Sequence, residues 1–336
     1  MLHDVLGMVW YVLLAILWTG FVLLESFTSG VGMFFRSARS ETEGRVLQYT
    51  VGPYWDGSEV WFITAGGATF AAFPLVYAEM FSHLYVALFL LLFMLIIRGV
   101  SMELVYKDDS LKWQRSMAWA WMLSSYALAL LLGVRFANLF LKASTDATPD
   151  GSFIALLNKP GILGGLFFIA FYRTSGILWA NLKAKGDVVT RKRKEALYTA
   201  IVMAHIAPIL MLAFNWRSEL FRGAAFTAVP LLWILPVAVI ALPVVTVLLL
   251  WKGRYGWGFL ANLAAIGAYM TTGFVGLYPY MTPGVTLFEG MASLKTLQVM
   301  TTVVGIFLPL VLGYQAWKFY HFRYAISAEY FDPPRH

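Results

Sequence analysis

Long apolar runs decide what this chain can fold into. At roughly 1.5 Å per residue, a helix of about 20 apolar residues crosses the hydrocarbon of a bilayer. Nine stretches reach or approach that length: Val5–Leu24, Val60–Met80, Leu84–Ile97, Met117–Phe136, Gly161–Leu182, Ala196–Phe214, Ala228–Trp251, Gly256–Tyr278 and Leu294–Tyr320. With 60% hydrophobic and 13% charged residues, no soluble core could bury them all. The expected fold is all-α, a polytopic membrane protein of nine transmembrane helices. A β-barrel would alternate apolar and polar residues over short segments, and these runs do not. The polar stretches between them are too short for a separate domain, so residues 1–336 read as a single integral membrane domain. The first run follows Asp4 with no basic segment before it and no small-residue cleavage site after it, so it reads as a span and not as a signal peptide. No internal repeat is evident.

Charge sets the expected orientation. Of the 25 Lys and Arg residues, 18 lie in alternate connectors and the C-terminal tail, six lie in the remaining connectors, and Arg173 is inside the fifth span. Basic loops stay cytoplasmic, which puts the N-terminus outside and the C-terminus in the cytoplasm. The net charge of +7 is thereby explained by topology, and no nucleic-acid partner is expected. The absence of cysteine excludes disulfides, iron–sulfur clusters and thiolate metal sites. Of the five histidines, only His205 falls inside a span, where a helix–helix hydrogen bond is the expected role. Two facing imidazoles for a haem are not on offer, and the chain is expected to bind no haem or metal by itself.

Acids near a membrane need a reason, because charge in hydrocarbon is costly and faces a protein interior or a watery path. Glu25 ends the first, inward-running helix. Asp56 and Glu59 open the second, outward-running one. All three are thus expected near the cytoplasmic face. Asp56 has two compatible readings, as a helix cap in an Asp-x-x-Glu pattern and as a carboxylate that exchanges protons with water. Glu59 lies one turn on, on the same side, either as a buried proton-loading acid or as a headgroup-level charge. Glu25 joins them or reaches for the interface. Arg173, deep in the fifth span, needs an anion: Asp56, Glu59 or an acid of another subunit, most simply in a structural ion pair. Arg98, Glu103 and Lys107-Asp108-Asp109 read as solvated loop charge. Tyr172 and Trp179 read as lipid or packing contacts. Gly66 and Gly67 would allow close helix contact, and Pro74 would kink the helix.

The same acid-bearing stretch carries a family likeness. Trp55-Asp56-Gly57, Val60-Trp61, Ala65-Gly66-Gly67, Phe70-Ala71-Ala72-Phe73-Pro74 and Tyr77-Ala78 closely resemble the signature of subunit II of cytochrome bd quinol oxidases. Trp55, Gly57, Trp61, Gly66 and Gly67 are its structural positions. Glu25-Ser26-Phe27 with Gly30-Val31-Gly32-Met33 resembles the family's acid-Gly-Phe-Asp-x-Gly-Val-Gly element. It departs at Ser26, which replaces glycine, and at Thr28, where a second acid is common. Ser58-Glu59 stands where Asn-Gln is common, and Glu59 is a candidate substitute for the missing acid.

The resemblance implies a complex that reduces dioxygen to water with electrons from quinol in the bacterial plasma membrane. In it, subunit I carries the b- and d-type haems and the quinol site. Subunit II would be haem-free and not catalytic alone. It would pack on subunit I and help to build a cytoplasmic proton path through Asp56, with Glu59 and Glu25 as further candidates. Membrane lipid, quinone and a small single-helix accessory subunit are compatible partners. Two other readings stay open from the residues alone. One is a proton-coupled secondary transporter, although its usual repeats and paired broken helices are missing. The other is a structural scaffold in which each acid is a cap or an ion pair.

Overall fold

The computed structural model describes residues 1–140, 153–218, 221, 224–282 and 284–331. The expected outer loop Ser144–Ser152, the basic residues Lys142 and Arg222, and the end of the tail with His336 lie outside the described residues. The described residues hold fourteen α-helices and one small hairpin, besides short 3-10 turns at Phe35–Ser37, Pro230–Trp233 and Ala328–Tyr330: α1 Leu2–Gly32, α2 Glu41–Val51, α3 Trp55–Ala72, α4 Pro74–Leu104, α5 Leu111–Phe140, α6 Phe153–Leu156, α7 Lys159–Lys183, α8 Asp187–Thr190, α9 Arg193–Ser218, α10 Ala224–Ala228, α11 Ile234–Trp251, α12 Tyr255–Leu277, α13 Leu287–Gly290 and α14 Leu294–His321, with β1 Tyr280–Thr282 paired antiparallel to β2 Val285–Thr286. Among the described residues eight helices are long and apolar enough to cross a membrane, and a bent pair of helical segments makes a ninth. The all-α polytopic expectation holds.

The bent pair corrects the second and third expected spans. The helix does not run on to Met80 and then stop at a link over Phe81–His83. It ends at Ala72, the chain bends by 119°, and α4 then continues unbroken from Pro74 to Leu104. The cause is local. A residue before proline avoids the helical region, and Phe73 adopts φ −138°, ψ 66°. Pro74, which has no N–H to leave unpaired, then opens the next helix. Pro74 therefore separates two helices instead of kinking one.

A second difference lies in the connector expected after α1. Residues 41–51 form α2, which buries Val46, Leu47 and Val51. Ser40 caps it by accepting from the Glu43 N–H at 3.1 Å, and the Glu43 carboxylate accepts the Arg39 N–H at 2.8 Å. This Ser-x-x-Glu pattern marks a helix start.

The bundle is built around α1 and α7. α7 is buried along most of its length, and it touches α1 and α5 at glycines. A Cβ on Gly30 would sit 2.1 Å from the Tyr172 carbonyl oxygen, and one on Gly176 would sit 2.0 Å from the Gly30 carbonyl carbon. Gly133 and Gly164 meet in the same way across α5 and α7. Backbones this close gain dispersion contact that lipid cannot match. The expectation for Gly66 and Gly67 is not met within this chain, since a Cβ at either would have nothing within 4 Å. They lie on an outward face of α3. α14 is the most open of the long helices: only Leu297 and Lys318 are buried along it.

Gly176→Ala should therefore disrupt the α1–α7 crossing, at a cost of about 1–3 kcal/mol or more from overpacking. Gly67→Ala should leave the isolated chain as stable as before. Thermal unfolding of the two variants in detergent checks this pair of outcomes.

Candidate functional site

The last turns of α1, the start of α3 and the last turns of α4 meet at one end of the bundle, and each brings a charge. Glu25 and Arg98 are both fully buried there, with the Arg98 Nη2 2.7 Å from Glu25 Oε2. The same Arg98 nitrogen lies 3.4 Å from Glu59 Oε1, whose side chain is only partly exposed. One guanidinium thus bridges two carboxylates. The plane of Trp55 lies beside it, with its ring centroid 5.6 Å from the Arg98 Cζ.

Glu25 is engaged on both oxygens. Ser58 donates to Oε2 at 2.7 Å, Thr28 donates to the same oxygen at 3.2 Å, and Ser29 donates to Oε1. The residues that depart from the family pattern thus have a visible use. Thr28 and Ser58 are hydroxyl donors to Glu25, in the places where a second acid and an asparagine are common. Glu59 has the single ionic contact to Arg98 and lies within electrostatic reach of Glu25 and Asp56.

Arg98 was expected in a solvated loop, and this is corrected. The apolar run does not end at Ile97. α4 continues through Gly99 and Val100 to Leu104, which places Arg98 almost two turns inside the helix. The signal was available in Gly99-Val100-Ser101-Met102, which carries no charge after the arginine. Among the described residues, the Nε and Nη1 of Arg98 and the hydroxyl of the neighbouring Tyr172 are buried without a protein hydrogen-bond partner.

Asp56 stands apart from this buried cluster. Its side chain is 70% exposed. It does not cap α3, because the cap position is Tyr54 and no side chain bonds there. Instead it accepts the Gly57 N–H at 2.7 Å and pairs with the Lys318 ammonium at 3.3 Å. A Cβ at Gly57 would lie 2.8 Å from the Lys318 Nζ, so a larger residue there would push the ammonium from its present position. Asp56 and Lys318 line a cavity of about 680 Å³ at this face. Trp61, the other tryptophan of the signature, packs against α1 at Gly20.

Arg173 has a partner other than the acids expected for it. It forms an ion pair with Glu195 at the start of α9, with its Nε at 2.5 Å, and also donates to the Met33 carbonyl at 2.9 Å and to the Tyr126 hydroxyl. It ties α7 to α9, α5 and the end of α1, away from Asp56 and Glu59. Glu195 sits in a basic connector, which hid it as a partner. Tyr172 is fully buried and Trp179 nearly so. Trp179 donates to the Thr50 carbonyl at 2.9 Å and stacks on Phe27, so both pack inside the protein and neither faces lipid.

Among the described residues His205 has no hydrogen bond to another helix. It lies exposed and its Nδ1 meets the Ile201 carbonyl of its own helix at 2.8 Å. His3 bonds to the Ala292 carbonyl and His321 stacks on Trp317. These three imidazoles are engaged separately. Among the described residues no group of three or more His, Asp or Glu could hold a metal ion.

A buried ion pair is costly to break and cheaper to replace whole. Arg98→Met alone should destabilise the protein by about 3–5 kcal/mol, because Glu25 is left buried without its counter-charge. Glu25→Met combined with Arg98→Met should recover most of that loss. Unfolding measured for the single and double variants checks the coupling.

Comparison with known proteins places the chain. Residues 6–322 match the family described as cytochrome bd terminal oxidase subunit II. The chain is 32% identical over 340 residues to cytochrome bd ubiquinol oxidase subunit 2 of Bacillus subtilis (strain 168), covering 97% of both chains. It is 29% identical over 370 residues to cytochrome bd-I ubiquinol oxidase subunit 2 of Escherichia coli (strain K12), again covering 97% of both. A chain in the structure of bd oxidase from Geobacillus thermodenitrificans shares the fold, with a TM-score of 0.75 at 16% identity over 94% of this chain and 98% of that one. With the family match spanning most of its length, the chain belongs to the cytochrome bd terminal oxidase subunit II family.

Proposed function

We propose that this chain is the haem-free second subunit of a bacterial plasma-membrane quinol:dioxygen oxidoreductase, that it packs on a haem-bearing subunit I, and that it carries protons from the cytoplasm toward oxygen reduction. The haems and quinol chemistry belong to the partner in this reading. This chain contributes binding surface and proton-bearing groups.

The observation that carries the proton role is the Glu25–Arg98–Glu59 assembly beside the Asp56 cavity. Two carboxylates and one guanidinium sum to a single negative charge, so one added proton makes the buried group neutral. Neutrality is what a low-dielectric site favours. Glu25 is held as an acceptor by three hydroxyls and Arg98. Glu59, with one contact and partial exposure, is the member free to exchange a proton. Asp56 stands at the mouth, open to solvent. The unpaired Arg98 nitrogens and the Tyr172 hydroxyl extend the polar track inward, and buried donors of this kind are met by ordered water. The Lys/Arg asymmetry of the connectors supports a cytoplasmic location for this face.

The packing role rests on α14 and the outer side of α3. α14 leaves Val303, Phe307, Leu310 and Tyr314 about half exposed or more, and the adjacent α3 presents Val60, Ile63, Gly67 and Phe70 outward. A face rich in small and apolar residues suits close approach by another transmembrane subunit.

Asp56→Asn, purified as the complex, should lower quinol oxidase turnover by about a hundredfold, the lower end of the range for loss of a proton-transferring group, with the reduced-minus-oxidised haem spectrum intact. Unchanged turnover would remove Asp56 from the path. A C-terminally tagged chain should also co-purify in mild detergent with a second large polypeptide bearing b- and d-type haem bands. A lone, spectrally silent chain that retains α14 would count against the partner.

A further inference from the structure

The wall of the cavity beside Asp56 carries Arg45, Lys107, Lys183 and Lys318 together with Asp56 and Glu103. Arg45 is paired with Glu41 at 2.6 Å and Lys318 with Asp56 at 3.3 Å, while Glu103 accepts the Trp55 indole N–H at 3.0 Å. Lys183 and Lys318 are nearly buried, at 8% and 5% exposure. Their ammonium groups converge on one ring, at 5.7 Å and 5.9 Å from the Tyr54 centroid. An ammonium has three donors. Lys183 fills one, to the Phe322 carbonyl at 2.5 Å, and among the described residues it has no carboxylate partner.

Lys318 has Asp56 as its counter-charge, but Lys183 brings a second, nearly buried ammonium to the same ring, and that like charge is unfavourable until a further anion meets it. A phosphate oxygen suits the need, because lysine meets phosphate as a compact point charge. The volume of about 680 Å³ lies in the range of small-ligand sites, roughly 300–1,000 Å³. Basic pockets between transmembrane helices on the cytoplasmic side are where anionic lipid headgroups bind.

We propose that this cavity is a phosphate-binding site, in which Lys183 and Lys318 hold a phosphate group above the Tyr54 ring and next to Asp56. The group is either the headgroup of an anionic phospholipid or a free phosphate. An anion held there would compete with Asp56 for Lys318 and so change how that carboxylate is held at the mouth of the cavity. The binding claim stands whether or not Asp56 carries protons.

The test uses the purified complex in nanodiscs and reads amine labelling of Lys183 by mass spectrometry. Three conditions are compared: phosphatidylcholine alone, phosphatidylcholine with phosphatidylglycerol, and phosphatidylcholine with inorganic phosphate. At a ligand concentration ten times its dissociation constant, labelling should fall about tenfold. Protection by phosphatidylglycerol alone assigns the site to lipid, and protection by inorganic phosphate assigns it to a soluble anion. Equal labelling in all three conditions overturns the proposal. As a second readout, Lys183→Arg should retain phosphatidylglycerol through delipidation as the wild type does, and Lys183→Gln should lose it. Equal retention by both variants and the wild type would also overturn the proposal.

Discussion

Burying Arg98 obliges the rest of the bundle to answer it. An isolated guanidinium in a membrane interior would be prohibitively costly, and here it lies beyond the reach of bulk water. Its answer comes from two other helices at once, Glu25 on α1 and Glu59 on α3. That requirement fixes the relative depth of α1, α3 and α4. It also explains the polar side chains around it, because a buried carboxylate must fill its acceptor sites. Thr28, Ser29 and Ser58 do so. The signature glycine next to Asp56 follows from the same logic one layer out, since a larger residue there would push the Lys318 ammonium from its present position.

Arg173 applies the same rule elsewhere without joining this cluster. Its counter-charge, Glu195, and its carbonyl and hydroxyl acceptors come from α9, α1 and α5. The ion pairs around Arg98 and Arg173 thus join different sets of helices, with glycine contacts between α1 and α7 in between. Where ties and glycine contacts are few, the helices are open. α14 is the clearest case, and its exposure is the reason to expect a partner subunit there.

The helical class was legible because hydrocarbon thickness forces long apolar runs, and these need no tertiary knowledge to see. Glu25, Asp56 and Glu59 were legible for the opposite reason, as acids at the ends of such runs. What the residues alone did not show was pairing. Arg98 looked like the end of a span, because an arginine at the close of an apolar stretch usually is. Its burial depends on α4 running on for two further turns. Glu195 was hidden among lysines and arginines. The turn at Phe73-Pro74 was read as a kink because local rules allow proline both roles, and only packing decides between them. Gly66 and Gly67 looked like an internal contact, yet their open space within this chain suits a contact with another one.

If the Glu25–Arg98–Glu59 assembly takes up a proton during turnover, redox-induced infrared difference spectra of the purified complex should show a protonated-carboxyl C=O band that shifts on deuterium exchange and disappears in Glu59→Gln, while the haem bands remain. A band unchanged in that variant and in Glu25→Gln would contradict it, and the assembly would then be an ion pair that holds three helices in register and nothing more.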